Sequence, residues 1–430
     1  VTLASDLARL WRARGFRRLT LSRLLSQAGD GMFQVGIATA FFFDPTQAAT
    51  PSEIAIGFAV LLTPFTLVGP FVGPLIDRWQ RQRILLVGNL VRVGMAGSIL
   101  AVLALGGPLW SLYALALLTL SVNRFLLAAM SAGLANVVPR EELLAANAIM
   151  PTLGTIAAAA GAAIGGVVTF LVPTASDASL ALAALVSAMG AFAASSWAAT
   201  LLGHTELGPT HPLEALRLGA QVRELGRELA SGVVYLRRRV TPFQALGVMA
   251  AQRLLYGVMF VASILMSRYL LGDPAHPENS LGEFSLVLGF AAAGFGLAAV
   301  LTPWLGPRVG RHRWIVACLV LGAAGQALLA ASSARWALLA AAVIISLAVQ
   351  GGKIAVDTIV QRDTADEYRG RAFTLYDMAY NVAFVASAAV AAAVLPPTGY
   401  SAGVMAGVAV AYLAVALVYA RAPRVPTPVG

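Results

Sequence analysis

Charge is scarce in this sequence. Only 12% of its 430 residues are Asp, Glu, Lys or Arg, while 59% are hydrophobic. A soluble domain carries about 25% charged residues, so a single water-soluble domain is excluded. Lysine is all but missing: Lys353 is the only one, and the rest of the 30 basic residues are Arg. Cysteine is limited to Cys318, which excludes an internal disulfide and a cysteine metal cluster. The four histidines, His204, His211, His276 and His312, fall in connecting segments or at their edges. That placement argues against a metal or hydrolytic site inside the apolar runs. The net charge is +10, yet no aromatic–basic pattern or zinc spacing accompanies it, so nucleic acid is not an expected partner. No Walker-type nucleotide loop is found, which argues against a primary pump.

What the sequence does contain is a succession of apolar runs of about 20 residues, the length that crosses a bilayer as a helix. Twelve spans are predicted, at 19–43, 52–76, 84–106, 109–136, 144–171, 178–202, 242–271, 283–306, 313–332, 335–361, 372–395 and 400–421. The residues before the first span are basic and are followed by no small-residue cleavage site, so that span is read as a retained helix. Arginine clusters in the N-terminal arm (Arg9, Arg12, Arg14, Arg17, Arg18) and in the even-numbered connections, among them Arg78, Arg81, Arg83, Arg308, Arg311 and Arg313. The asymmetry predicts that both termini are cytoplasmic. The longest connection, 203–241, contains Leu213, Leu216, Val222, Leu225 and Leu229 with Arg and Glu on other faces. It is expected to hold an amphipathic helix on the cytoplasmic surface. The predicted organisation is therefore a first bundle at 1–202, a linker at 203–241 and a second bundle at 242–430.

The two halves repeat each other. "DRWQRQRIL" follows the second span and "PRVGRHRWI" follows the eighth; "VVPREELLAANA" follows the fourth and "QRDTADEYRGRAF" the tenth. Duplicated halves are a transporter architecture. Gly73, Asp77, Arg78 and Arg81 match the signature Gly-x-x-x-Asp-Arg-x-Gly-Arg-Arg, with Gln80 in place of its second glycine. On these residues the chain resembles the major facilitator superfamily. Small Gly73 permits close helix approach, and Asp77 sits at a membrane edge, where it is able to bind Arg or a helix N-terminus. The resemblance implies that Gly73, Asp77, Arg78 and Arg81 form a conformational gate, with Asp377 and Asn381 of the eleventh span assigned to it. Pro307 stands where the second copy would carry its acid. Gly161, Gly165 and Gly166 lie where exporters of the family carry Gly-Pro-x-x-Gly-Gly; here Ala162 replaces the proline. The glycines are read either as that motif or as helix-packing residues. "RGRAF", 369–373, resembles a group of bacterial macrolide and siderophore exporters.

Ionisable residues inside membrane spans are costly, and each is a functional candidate. The first span has Gln27, Asp30 and Gln34 on one face; the fourth has Asn123 and Arg124; the seventh has Gln252, Arg253 and Tyr256; the tenth has Gln350, Lys353 and Asp357. The resemblance implies that these four spans line a substrate cavity. Arg92 and Gln326, in the third and ninth spans, stand apart as deep polar residues elsewhere. Asp30, Arg124 and Arg253 each lie about 11 residues, roughly 16 Å, from the cytoplasmic end of their span. Asp30 is therefore expected to meet Arg124 or Arg253. Two roles are open for it: proton coupling, together with Arg124, or a static ion pair. Lys353 and Asp357, spaced i, i+4, are able to satisfy each other.

The sequence thus predicts an all-α membrane protein of twelve helices in two pseudo-symmetric bundles, and a secondary transporter rather than an enzyme. It is expected to move a small amphipathic solute, neutral or anionic, most readily as a proton-coupled efflux antiporter in the bacterial inner membrane. No cofactor beyond the proton gradient, no metal, and no partner besides substrate and lipid are expected, and the chain is expected to be monomeric. Uptake or facilitated diffusion, lipid flipping and membrane sensing without transport are the alternatives.

Overall fold

A computed structural model of the chain describes residues 9–42, 79–139, 142–171, 178–208, 218–272 and 277–422, with 53, 56 and 57. The described residues form long helices and no strand. In chain order these are α1 (Arg14–Phe42), α2 (Arg81–Ala104), α3 (Leu109–Val137), α4 (Leu143–Leu171), α5 (Ala178–Thr200), α6 (Leu218–Arg238), α7 (Val240–Met266), α8 (Pro277–Val309), α9 (Arg311–Ala331), α10 (Arg335–Asp363), α11 (Asp366–Val394) and α12 (Ala402–Arg421). A π turn, Ser267–Leu271, closes α7.

Ten of these helices are long and apolar enough to cross a membrane. The exceptions are α1, whose first turns carry Arg14, Arg17, Arg18 and Arg23, and the polar-faced α6. The protein is thus a multi-pass membrane protein. The second predicted span, 52–76, lies almost wholly outside the described residues, as do Gly73, Asp77 and Arg78. Predicted and observed ends agree within a few residues except at α1, which begins five residues early, at Arg14, and at α8 and α11, which begin six residues early, at Pro277 and Asp366. The first turns of α8 and α11, "PENS" and "DEYR", start helices well but are polar, so an apolar-run criterion passes over them.

The helices sort into two units, one built from α1–α5 and the other from α7–α12, with α6 crossing the boundary between them in sequence. The units share a packing plan. In the first, α1 packs on α4 and α5, and α2 on α3 and α5; in the second, α7 packs on α11, and α9 on α10 and α12. The first core gathers Leu85, Leu126, Met130, Ile149 and Met150; the second gathers Ile315, Cys318, Leu319, Val356 and Tyr412. Cys318 is buried and unpaired. Large apolar side chains such as Ile156, Trp197, Val300 and Val418 cover the outside instead, as helices surrounded by lipid require.

Glycine sets the closest approach in the first unit. A Cβ at Gly31 would run into the Ala158 carbonyl oxygen, and one at Gly161 into the carbonyl oxygen of Ala28. α1 and α4 therefore touch backbone to backbone, a small-residue crossing typical of membrane helices. Gly165 contributes, its Cβ position lying 3.2 Å from Met32 Cα. Gly166 does not: a Cβ there would meet open space, which corrects its assignment to the packing motif. The duplicated loop shows what glycine does at its other site. Gly310 turns α8 into α9 with φ 90°, a conformation few other residues adopt. Gln80, at the matching place, has φ −59°, so the first copy makes its turn without that conformation.

Segment α6 docks by its second half on the start of α11. Tyr235 and Tyr368 stack with ring centroids 4.1 Å apart, and the Ala365 amide donates to the Tyr235 hydroxyl at 3.0 Å. Arg371, within "RGRAF", donates to Ser231 Oγ at 3.2 Å. Leu213 and Leu216, assigned to the amphipathic helix from sequence, lie outside the described residues.

Candidate functional site

Two polar clusters stand out, one in each unit. In the first, Asp30 lies past the middle of α1, and its carboxylate is 1% exposed. Arg92, half-way along α2 and 0% exposed, donates from Nη2 to Asp30 Oδ1. Asp30 is thus paired inside the first unit by Arg92, which was not its expected partner. Arg124 is half-buried on α3 and is not a partner of Asp30. The physical reason is the packing: α1 and α2 both pack on α5, so Asp30 and Arg92 converge there.

The pair is embedded in a continuous hydrogen-bonded network. Gln27 Nε2 donates to the other carboxylate oxygen at 2.6 Å, and Asn123 on α3 lies beside the same carboxylate. Arg92 Nη1 donates to Ser26 Oγ at 3.0 Å and to Asn89 Oδ1 at 3.4 Å. Asn89 Nδ2 donates to Ser195 Oγ at 3.1 Å, and Ser195 in turn donates to the Ser22 carbonyl at 2.7 Å. The Phe192 ring covers one face of the guanidinium, 3.6 Å from Cζ to the ring centroid. Gly29 makes this possible, because a Cβ there would strike Phe192. Such a network is costly to leave half satisfied. It ties α1, α2 and α5 together with a charge pair at its centre. Gln34, one turn beyond Asp30, is exposed and takes no part.

The second cluster is built on aromatic rings. Arg253, at the middle of α7, lies over Phe384 at 3.4 Å, Tyr380 at 4.3 Å and Tyr256 at 5.3 Å. Tyr376, Tyr380 and Phe384 recur every four residues and so line one face of α11. Tyr376 stacks on Tyr380, and Lys353 Nζ lies 5.4 Å from the Tyr376 ring. Lys353 is bound to Asp357 at 2.7 Å, both about one-third exposed. Gln252 Nε2 donates to the Ala348 carbonyl at 3.1 Å, against Gly352, where any Cβ would meet its amide oxygen. Gln350 is half-buried on α10. A cavity of about 30 Å³, room for a water or two, is bounded by Tyr256, Phe260, Val287, Ala291, Ile345 and Ser346.

Of the residues assigned to the gate, Arg81 donates to the carbonyls of Leu207 at 3.0 Å and Ala132 at 3.3 Å, inside the first unit. Asn381 Nδ2 donates back to the Asp377 carbonyl of its own helix at 2.8 Å. Sequence reasoning passed over Arg92, Asn89, Ser26, Ser195, Tyr380 and Phe384 as site residues. Two signals were available. Arg92 lies 11 residues past Arg81, the depth shared by Asp30, and the aromatic stripe of α11 has an unbroken spacing of four.

The known proteins this chain resembles can now be set beside that geometry. The family model of the Major Facilitator Superfamily matches residues 245–430. An uncharacterised MFS-type transporter of Mycobacterium tuberculosis is 32% identical over 388 residues, covering 90% of this chain and 86% of its relative. The chain belongs to the major facilitator superfamily. An equally similar MFS-type transporter occurs in Mycobacterium bovis, with the same identity and coverage. Among solved structures, nucleoside transporter NupG superposes with a TM-score of 0.69 at 13% identity, covering 94% of this chain and 97% of that one. A POT family transporter bound to a thioalcohol-conjugated peptide gives 0.68 at 11% identity, covering 94% and 95%. At such identities the likeness concerns the superfamily fold alone. Membership makes this chain a secondary transporter, and the two polar clusters are where its own chemistry departs from a plain helical bundle.

Proposed function

We propose that this protein exports a small amphipathic solute across the bacterial inner membrane in exchange for protons, its two halves alternating between inward and outward access. The observation that carries the proton role is the double provision for Arg92. Its guanidinium holds Asp30 by one nitrogen, but Ser26, Asn89 and the Phe192 ring hold it independently. When Asp30 takes a proton and its charge disappears, Arg92 keeps neutral partners, so a charge change at Asp30 does not strand a bare cation in the membrane. A static pair also needs those N–H partners, but only a titrating one leaves them to hold the guanidinium alone. The proton gradient supplies the energy and no cofactor is called for. Within the first unit the polar residues of α1 and α3 are assigned to the solute, and within the second those of α7 and α10. Gating by Asp77 and the arginines beside it follows from the motif it shares with the superfamily.

The test is transport in proteoliposomes under an imposed pH gradient. Asp30→Asn is expected to abolish gradient-driven accumulation while solute exchange at equal pH persists. An Asp30→Asn protein that still concentrates solute against its gradient removes the residue from coupling. Uptake or facilitated diffusion is the second reading. It is favoured by Ala162, which stands where the exporter motif has proline. Accumulation in the opposite sense, or equilibration that ignores the pH gradient, would select it.

A further inference from the structure

The central arginines of the two clusters, Arg92 and the half-buried Arg253, are provided for in opposite ways. Arg92 has a carboxylate, a hydroxyl, an amide and a ring. Arg253 has rings only. No carboxylate among the described residues pairs with it, and its Nε is buried without a hydrogen-bond partner. It stands 13 residues from each end of α7, about 20 Å along the axis, and so at mid-membrane depth. A guanidinium there is expensive unless something answers its charge. Ring faces answer part of it, but they leave the N–H fork unused. That fork is flat and matches the two oxygens of a carboxylate or a phosphate.

The ion pair of this cluster does not fill the role. Lys353 is taken by Asp357 at 2.7 Å, so this pair is neutral as a unit. The aromatic stripe of Tyr376, Tyr380 and Phe384 runs from Lys353 to Arg253 and offers apolar area beside the free fork. Tyr256 belongs both to the Arg253 bed and to the wall of the small cavity. A cation with an uncommitted planar fork, set among rings, is complementary to an oxyanion carried on an apolar body.

We propose that Arg253, seated on Phe384, Tyr380 and Tyr256, is the oxyanion-binding point of the second unit, and that the solute is an amphipath bearing a carboxylate or similar oxyanion on a ring-containing body. The inference rests on the transport reading above and narrows its substrate class. The guanidinium forms a bidentate, charge-assisted pair with the oxyanion, and the rings stack on the body.

The test uses the full-length protein in neutral detergent and matched carboxylate–carboxamide pairs: benzoate and benzamide, 2-naphthoate and 2-naphthamide, indole-3-acetate and indole-3-acetamide. Affinities are measured by calorimetric titration. The carboxylates are expected to bind at least about tenfold tighter than their amides, as a charge-assisted hydrogen bond implies. Arg253→Gln should erase that preference. Arg253→Lys should keep only part of it, since charge remains but the fork is lost, and it carries the same test if the Gln variant does not fold. Arg335→Gln, at an exposed arginine bound to Glu283, should leave the preference intact. Competition by phosphatidylglycerol added to the micelles separates the sources: displacement of the carboxylate identifies a lipid headgroup, and no displacement a soluble oxyanion. Equal affinities within every pair, no binding by any carboxylate, or an undiminished preference in both Arg253 variants overturns the inference. Flux measured on the same preparations keeps the two readings apart. Carboxylate preference without flux removes the transport reading; flux without the preference removes this one.

Discussion

Replacing either member of the Asp30–Arg92 pair should destabilise the first unit by unequal amounts. Breaking a buried ion pair by removing one partner costs about 3–5 kcal/mol, because a charge is left without compensation. Arg92→Gln should approach that range, since the remaining carboxylate keeps only Gln27 and the nearby Asn123. Asp30→Asn should cost less, about 1.5–3 kcal/mol, the range for a lost hydrogen bond to a charged group. The guanidinium still has Ser26 at 3.0 Å, Asn89 at 3.4 Å and the Phe192 ring at 3.6 Å. For a bundle of roughly 200 residues, 1 kcal/mol corresponds to about 2–4 °C in melting temperature. Arg92→Gln should therefore lower the melting temperature by about 6–20 °C and Asp30→Asn by about 3–12 °C. The double variant carries no stranded charge and should melt above Arg92→Gln alone. The assay is thermal unfolding of detergent-purified protein followed by tryptophan fluorescence, with the four proteins treated as a double-mutant cycle. Purely additive losses would show that the two residues do not depend on each other. An Arg92→Gln protein melting with the wild type would refute the buried pair itself.

Other consequences are equally direct. Gly161→Leu should prevent α1 and α4 from closing and abolish folded protein, while Gly166→Leu, which meets open space, should be tolerated; size-exclusion profiles of the two variants distinguish them. Tyr235→Ala removes both the Tyr368 stack and the acceptor for the Ala365 amide, and should make α6 cleavable by trypsin at Arg223 and Arg227; unchanged digestion would mean that the docking does not hold it. With Cys318 buried, single cysteines at Arg83, Arg238 and Arg313 should label only from the cytoplasmic side, and those at Leu105 and Thr398 only from the other; labelling of Arg83 and Leu105 positions from one side contradicts the orientation read from arginine. Asp77→Asn should keep solute binding yet slow turnover, and turnover at the wild-type rate would take Asp77 out of the gate.

Helix positions were legible in the sequence because they rest on local properties. A run of about 20 apolar residues must be a helix in lipid, since every backbone group has to be bonded within the segment. The ends of α3 and α4, Leu109–Val137 and Leu143–Leu171, fall within a residue of those read from composition. The early starts of α8 and α11 were missed because polar first turns carry no hydropathy signal. The duplication was legible too, since the paired loops "DRWQRQRIL" and "PRVGRHRWI" survive as strings. Asp30 was legible as a deep acid, and Lys353 with Asp357 as a self-satisfying pair, because both follow from depth and spacing along a single helix.

Partnership across helices was decided only by the tertiary structure. Depth along each span made Arg124 and Arg253 the candidates for Asp30 and set Arg92 apart from them. The choice fell to Arg92 because α1 and α2 converge on α5, where Gly29 lets Phe192 in to cover the guanidinium. The same is true of Arg253, whose bed comes from α11, more than 120 residues further along the chain. A sequence states how deep a charge lies and on which face of its own helix. Which neighbour that face meets depends on the rotation and packing order of helices distant in the chain, and one sequence pattern is compatible with several such arrangements until glycine contacts and ring packing select among them.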